Sequence, residues 1–181
     1  MKYPDIRKNG KFFLAWQPST WPEAPERYNE EFPDILAIIF HDSLLIEIEN
    51  VIKDAPTLEH RGHVVALAIL CAIDTLSSYA FRDTGTEKCS GCGRTDRVGP
   101  RYKNYIHDFF PRDYQEFSDK IYRLYRNSIA HSWNLFEAGM LPGDEPIQVV
   151  DGTIIFGLLH FFNALKSSVD TFHGRLRDEP K

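Results

Sequence analysis

Ile121-Tyr122-Arg123-Leu124-Tyr125-Arg126-Asn127-Ser128-Ile129-Ala130-His131-Ser132-Trp133-Asn134-Leu135-Phe136 is the stretch on which the reading of this chain turns. Apolar and aromatic residues at helical spacing predict a buried helix here. Arg126, Asn127 and His131 interrupt the apolar pattern. At ~100° per residue Asn127 and His131 share a face, whereas Arg126 lies about 140° away from His131. For Arg126 and His131 to meet on one substrate, Arg126 must reach round, the helix must loosen near His131, or a second copy must supply the missing half.

The flanking sequence predicts the remaining elements. Met1 to Tyr28 has no clear period, and Trp16, Pro18, Trp21, Pro22 and Pro25 mark an extended arm that packs through its aromatics. A first helix begins between Asn29 and Pro33 and runs to about Lys53, with Ile35, Ile38, Ile39, Leu45, Ile46 and Ile52 as its stripe. His41 and Asp42 interrupt that stripe and suit a polar flank with local hydrogen bonds. Thr57 is the expected N-cap of a second helix reaching about Phe81. That helix is apolar over a wide arc and carries Asp74 inside it. A buried carboxylate needs a partner. Arg126 and the hydroxyls of Ser or Tyr residues are the two candidates. Cys71 suits a small core position.

Arg82 to Pro100 reads as a long loop, and a short helix over about Arg101 to Phe110 follows it, with Tyr102, Tyr105, Ile106 and Phe109 inward. Asp113 and Glu116 form the pattern of a capping box for the next helix, which carries the motif and is expected to stop near Gly139. Asp151-Gly152 between two apolar runs predicts a two-residue hairpin. A last helix spans about Leu158 to His173, with Gly174 as its stop. The expected fold is therefore mainly α: a helical bundle of four main helices, one short extra helix and a small β-hairpin before the last helix. Residues 1–28 form the arm and residues 29–181 a single domain.

Composition narrows the function classes. Hydrophobic residues make up 43% of 181, enough for a core without disulfides or a structural metal. A net charge of −5 argues against a broad nucleic-acid-binding surface. Residues 82–126 nevertheless hold ten Lys or Arg against seven Asp or Glu, a local +3. Three Cys and no hydrophobic leader point to a reducing cytoplasm. No apolar run is expected to reach the ~18 residues of a membrane span, the longest candidate, around Val64 to Ile73, being short and suited to a core, so no membrane partner is expected. Cys89 and Cys92 look like half a zinc knuckle, but tetrahedral zinc needs four ligands and the chain has no second such pair.

Arg126, Asn127 and His131 match the needs of metal-free RNA cleavage. His can take or give a proton near neutrality. Arg offers a permanently charged fork suited to phosphate. Asn can orient phosphate or fix an imidazole tautomer. The same residues also suit a structural role, with Arg126 holding a neighbouring loop or Asp74.

The run Arg126-Asn127-Ser128-Ile129-Ala130-His131 resembles the motif of the HEPN superfamily, in which an Arg, usually followed by a polar residue, precedes a His by four to six positions. A second, looser match runs from Arg101 to His107. The run from Gly99 to His131 is similar to a group of uncharacterised bacterial HEPN-like proteins, over about the third quarter of the chain. The resemblance implies a helical bundle, a homodimer whose two motifs meet at the interface, and RNA as substrate, in the manner of a toxin or phage-defence ribonuclease. It also implies an antitoxin or nucleotidyltransferase as partner, and no cofactor. Two other classes remain open: a non-catalytic RNA- or partner-binding module, and a structural dimerisation domain. Elemental analysis of protein purified without added metal is expected to find no stoichiometric zinc. One zinc per chain, or one per pair of chains, would contradict the reading of Cys89 and Cys92.

Overall fold

The structure, a computed structural model, describes residues 37–53, 62–81, 98–125 and 138–178. The N-terminal arm, the Thr57 cap, the loop with Cys89 and Cys92, and the motif residues Arg126, Asn127 and His131 lie outside them. Among the described residues the architecture is mainly helical, with a small three-stranded sheet.

A π-helical stretch, Ala37–Leu44, leads into α1, Leu45–Lys53. Leu45 and Ile48 face the core, while Ile46, expected in the stripe, is 47% exposed. His41, expected to bond locally, has its Nε2 3.5 Å from the Asp170 carboxylate, far along the chain.

Helix α2, Gly62–Ala80, is the apolar helix expected from the sequence. It is long and apolar enough, by length and composition, to cross a membrane. Its apolar surface is instead used inside the protein: Val65, Ala66, Ile69, Leu70, Ala72, Ile73 and Leu76 are all buried. The burial arc is narrower than the apolar arc, which leaves Val64 half exposed and Cys71 on the outer face rather than in the core.

Helix α3, Val98–Phe109, starts three residues before the expected boundary. Pro100 sits in its first turn, where the missing N–H and the fixed φ do no harm. Tyr102, Tyr105, Ile106 and Phe109 are buried against α2 and against the last helix. The next expected helix is broken. A single turn, α4 (Arg112–Gln115), is followed by a turn at Glu116 and Phe117 and then by α5 (Ser118–Arg123). The expected capping box is absent: Pro111 occupies the N-cap of α4 without a side-chain bond, and Asp113 lies inside its first turn.

The hairpin comprises β2, Gln148–Val150, and β3, Thr153–Gly157, paired antiparallel. Asp151 and Gly152 both have positive φ, 50° and 81°, as a type I′ turn requires. A further strand precedes it. β1, Ala138–Leu141, pairs parallel with β3 in register Ala138 to Ile154, giving the order β1-β3-β2. Gly139 is therefore a strand residue rather than a helix stop. The last helix, α6 (Leu158–Asp178), runs straight through Gly174. The glycine signal is overridden because the added turn is held by tertiary contacts. Arg175 donates to the Asp108 carbonyl and covers the Phe109 ring, and Leu176 packs on the core.

Gly157 joins β3 to α6 under the 143–145 segment. Its N–H donates to the Glu145 carbonyl, and the Leu159 N–H to that of Gly143. A Cβ built on Gly157 would meet the Glu145 carbonyl oxygen at 2.2 Å and the Glu145 nitrogen at 2.6 Å. Gly157→Ala must displace that backbone, so a loss of about 1–3 kcal/mol is expected in chemical denaturation. An unchanged midpoint would contradict this packing.

Candidate functional site

The described residue nearest the motif in sequence is Tyr125, which immediately precedes Arg126. Its hydroxyl donates to Oδ2 of Asp74 on α2 at 3.1 Å. The other carboxylate oxygen, Oδ1, accepts from Nη2 of Arg101 on α3 at 3.2 Å. One carboxylate thus ties α2, α3 and the chain leaving α5. The side chains of Asp74 and Arg101 are 27% and 23% exposed, so the pair is neither fully dry nor fully solvated.

Of the two partners expected for Asp74, the tyrosine hydroxyl is present. Arg101 is a third, which local sequence could not reveal. A pairing with Arg126 falls outside the described residues. Spacing on one helix says nothing about a contact 27 residues away. The only hint was a charged residue beside the packing side of α3, which must find a counter-charge or water.

The surroundings of the pair are aromatic. The Tyr125 ring stacks on Tyr102, with centroids 5.3 Å apart and an interplanar angle of 14°. Tyr102 also meets Tyr122 at 5.5 Å, and its buried hydroxyl donates to the Leu70 carbonyl. Burial, with the nearby Asp74 carboxylate next, pushes the Tyr125 phenol up to about 12. Burial also raises Tyr102 well above the ordinary phenol value. Cys71 lies next to the same carboxylate. Partial desolvation, then the Asp74 charge, raises its thiol, which disfavours the reactive thiolate.

The looser match from Arg101 to His107 does not assemble. Arg101 is engaged by Asp74, while exposed His107 meets the Ser118 hydroxyl through Nε2 at 3.5 Å. Six residues apart on α3, the two diverge by about 120°.

A second polar cluster joins α4 to α6. The buried Tyr114 hydroxyl lies 2.8 Å from Nδ1 of His160, whose Nε2 is 3.9 Å from Asp113. Burial first, then Asp113 and Asp144, drive the Tyr114 phenol far above its ordinary value, so it serves as a hydrogen-bonding strut rather than a nucleophile. No group of three or more His, Cys, Asp or Glu side chains that could hold a metal ion occurs among the described residues.

Comparison of the chain with models of known families, with curated proteins and with solved structures finds no match.

The Tyr125 shift has a definite sign. A phenol raised from about 10 in the unfolded chain to about 12 in the fold stabilises fully below the lower value. That contribution is lost as pH rises through the window between the two values, because only the unfolded state gives up its proton there. Melting temperature is expected to fall across this alkaline window, and to fall less in Tyr125→Phe. Equal slopes for the two proteins would contradict the assignment.

Proposed function

We propose that this protein is a HEPN-like, metal-independent endoribonuclease whose chemistry resides in Arg126, Asn127 and His131. The observation that carries the reading is the run Arg126-Asn127-Ser128-Ile129-Ala130-His131. It holds a titratable base, a permanent two-pronged cation and an amide within six residues. The mainly helical architecture and the anchored Tyr125 beside Arg126 support it.

In the proposed reaction His131 removes the proton from a ribose 2′-hydroxyl. The oxygen attacks the adjacent phosphorus to form the 2′,3′-cyclic phosphate, the bond to the 5′-oxygen breaks, and that oxygen leaves as a 5′-hydroxyl by taking a proton from the imidazolium or from water. Arg126 balances the charge growing on the phosphate oxygens. Asn127 orients the phosphate or holds the imidazole in one tautomer. The divergence of Arg126 and His131 on a regular helix, taken with the HEPN resemblance, favours completion of the site by a second copy, making the working unit a homodimer of four-helix-bundle subunits. The same reading places the protein in the cytoplasm as a toxin or phage-defence effector, with an antitoxin or nucleotidyltransferase as its regulating partner.

The net charge of −5 favours a second reading, a non-catalytic RNA- or partner-binding dimerisation module that keeps the motif without cleaving. One experiment separates the two. The purified chain is incubated with total RNA and with DNA in EDTA, beside His131→Ala and Arg126→Lys. RNA cleavage is expected to persist in EDTA and to spare DNA. It should fall about 10²- to 10⁴-fold in His131→Ala. Arg126→Lys should also be impaired, since an ammonium cannot reproduce the fork. Cleavage unchanged in His131→Ala would overturn the nuclease reading, and intact RNA with wild-type protein would favour the binding module.

A further inference from the structure

β2 is an edge strand. The sheet order is β1-β3-β2, so among the described residues one long side of β2 has no neighbouring strand. Gln148, Val149 and Val150 are all exposed, Val149 at 42% and Val150 at 46%. The hairpin geometry says which backbone groups are left over. In a two-residue type I′ hairpin the residues flanking the turn, here Val150 and Thr153, exchange both hydrogen bonds with each other. Bonding alternates along the ladder, so Val149, paired with Ile154, turns its N–H and C=O away from β3. Such an edge is a template for one more strand. Folded proteins commonly blunt their edges with a charge or a proline on the strand, and β2 carries neither.

Charge decides what kind of strand fits. The 143–145 segment runs on beside the end of β3, where the Gly157 N–H donates to the Glu145 carbonyl and the Leu159 N–H to that of Gly143. Asp144 and Glu145 therefore stand at one end of the edge and Asp151 at the other. All three are exposed, and none is ion-paired among the described residues. Extended chain covers the distance from Glu145 to Asp151 in at most about 20 Å. A second copy is a poor occupant. Two β2 strands paired antiparallel about Val149 would set Asp151 of each copy diagonal to Glu145 of the other, a like-charge approach made twice. Nucleic acid is repelled for the same reason, since its phosphates are anionic. An extended peptide with a Lys or Arg at each end meets these carboxylates with opposite charge and lays apolar side chains beside Val149 and Val150.

We infer that β2 is the docking edge for a basic partner protein, which adds an extended segment flanked by Lys or Arg as a fourth strand of the sheet. The open strand carries the inference, and the carboxylates at its ends select the sign of the partner. Main-chain bonds to Val149 hold the segment, and its alternate side chains reach Val149 on one face and Val150 on the other. The inference is independent of the nuclease reading, and neither falls with the other.

The test titrates the isotope-labelled full chain with the peptide Ac-Lys-Val-Thr-Val-Thr-Lys-amide and follows backbone amides by NMR and hydrogen exchange. Two control peptides replace both Lys by Glu, or carry N-methyl groups on two adjacent central residues so that a donor is lost in either register. Shifts are expected at Gln148 to Val150 with the Lys peptide and with neither control. The Val149 amide, open to solvent in the free protein, should exchange about tenfold more slowly at saturation. The Val150 amide, already bonded to Thr153, should change little. Neutralising the edge with Asp144→Asn, Glu145→Gln and Asp151→Asn together should weaken binding about 3- to 10-fold, and added salt should do the same to wild type. Asn accepts the positive φ at position 151, so the turn survives. Val149→Pro removes the outward donor without breaking a bond to β3, and should weaken binding about tenfold.

No shift at Gln148 to Val150 with the Lys peptide would overturn the inference. Equal binding of the Glu peptide would overturn the basic partner. Equal binding of the N-methylated peptide would overturn strand addition, and this arm stays decisive if Val149→Pro fails to fold. Protection of the Val149 amide that grows with protein concentration and needs no peptide would make a second copy the occupant, against the inference.

Discussion

The burial of phenol groups on α3, each of which must bring its hydroxyl to a partner, is the constraint on which the described structure depends. Tyr102 and Tyr105 are fully buried between α2 and α6. The Tyr102 hydroxyl donates to the Leu70 carbonyl on α2, and the Tyr105 hydroxyl reaches Ser168 on α6. Dispersion and area alone would let the helices slide. A buried hydroxyl left unmet costs about 1–3 kcal/mol, so each phenol selects one register. Phe109 and Phe172 extend the same seam with an edge-on contact at 5.1 Å. Tyr114 repeats the device on α4, with His160 on α6 as its partner.

This seam has a structural consequence. By fixing α3 against α2, it places Arg101 opposite Asp74, and by presenting the Tyr102 ring it gives Tyr125 a surface to stack on. The polar junction of Asp74, Arg101 and Tyr125 is thus built on the aromatic core. It also balances locally, with a carboxylate, a guanidinium and a phenol in contact, which lets charge sit in a partly buried place without a large penalty.

The periodic and local features of this structure were legible in the chain. The apolar arc of α2, the inward side of α3 and the Asp151-Gly152 hairpin each depend on residues within a few positions of one another. The misread features depend on contacts far along the chain. β1 is a four-residue strand whose partner lies some sixteen residues on, and Ala-Gly-Met-Leu has no alternation to announce it. Gly174 carries a stop signal that Arg175 and Leu176 override by packing. Asp113 was read as a cap because Glu116 follows at the right spacing, but Pro111 claims the N-cap and turns Asp113 toward His160. For the site, Asp74 was legible as a carboxylate in need of partners. Arg101 was not, because nothing local links it to a residue one helix away. The motif residues themselves rest on the sequence.

The chemistry proposed for Arg126 and His131 leaves a signature that no hydrolytic, metal-dependent nuclease shares, because the nucleophile belongs to the RNA. Mass spectrometry of the termini of a defined oligoribonucleotide, cut by the purified chain in EDTA, reads it directly. The account predicts a 2′,3′-cyclic phosphate on the upstream fragment and a 5′-hydroxyl on the downstream one. A 3′-hydroxyl with a 5′-phosphate would contradict it, since those ends require water or an external nucleophile to attack the phosphorus.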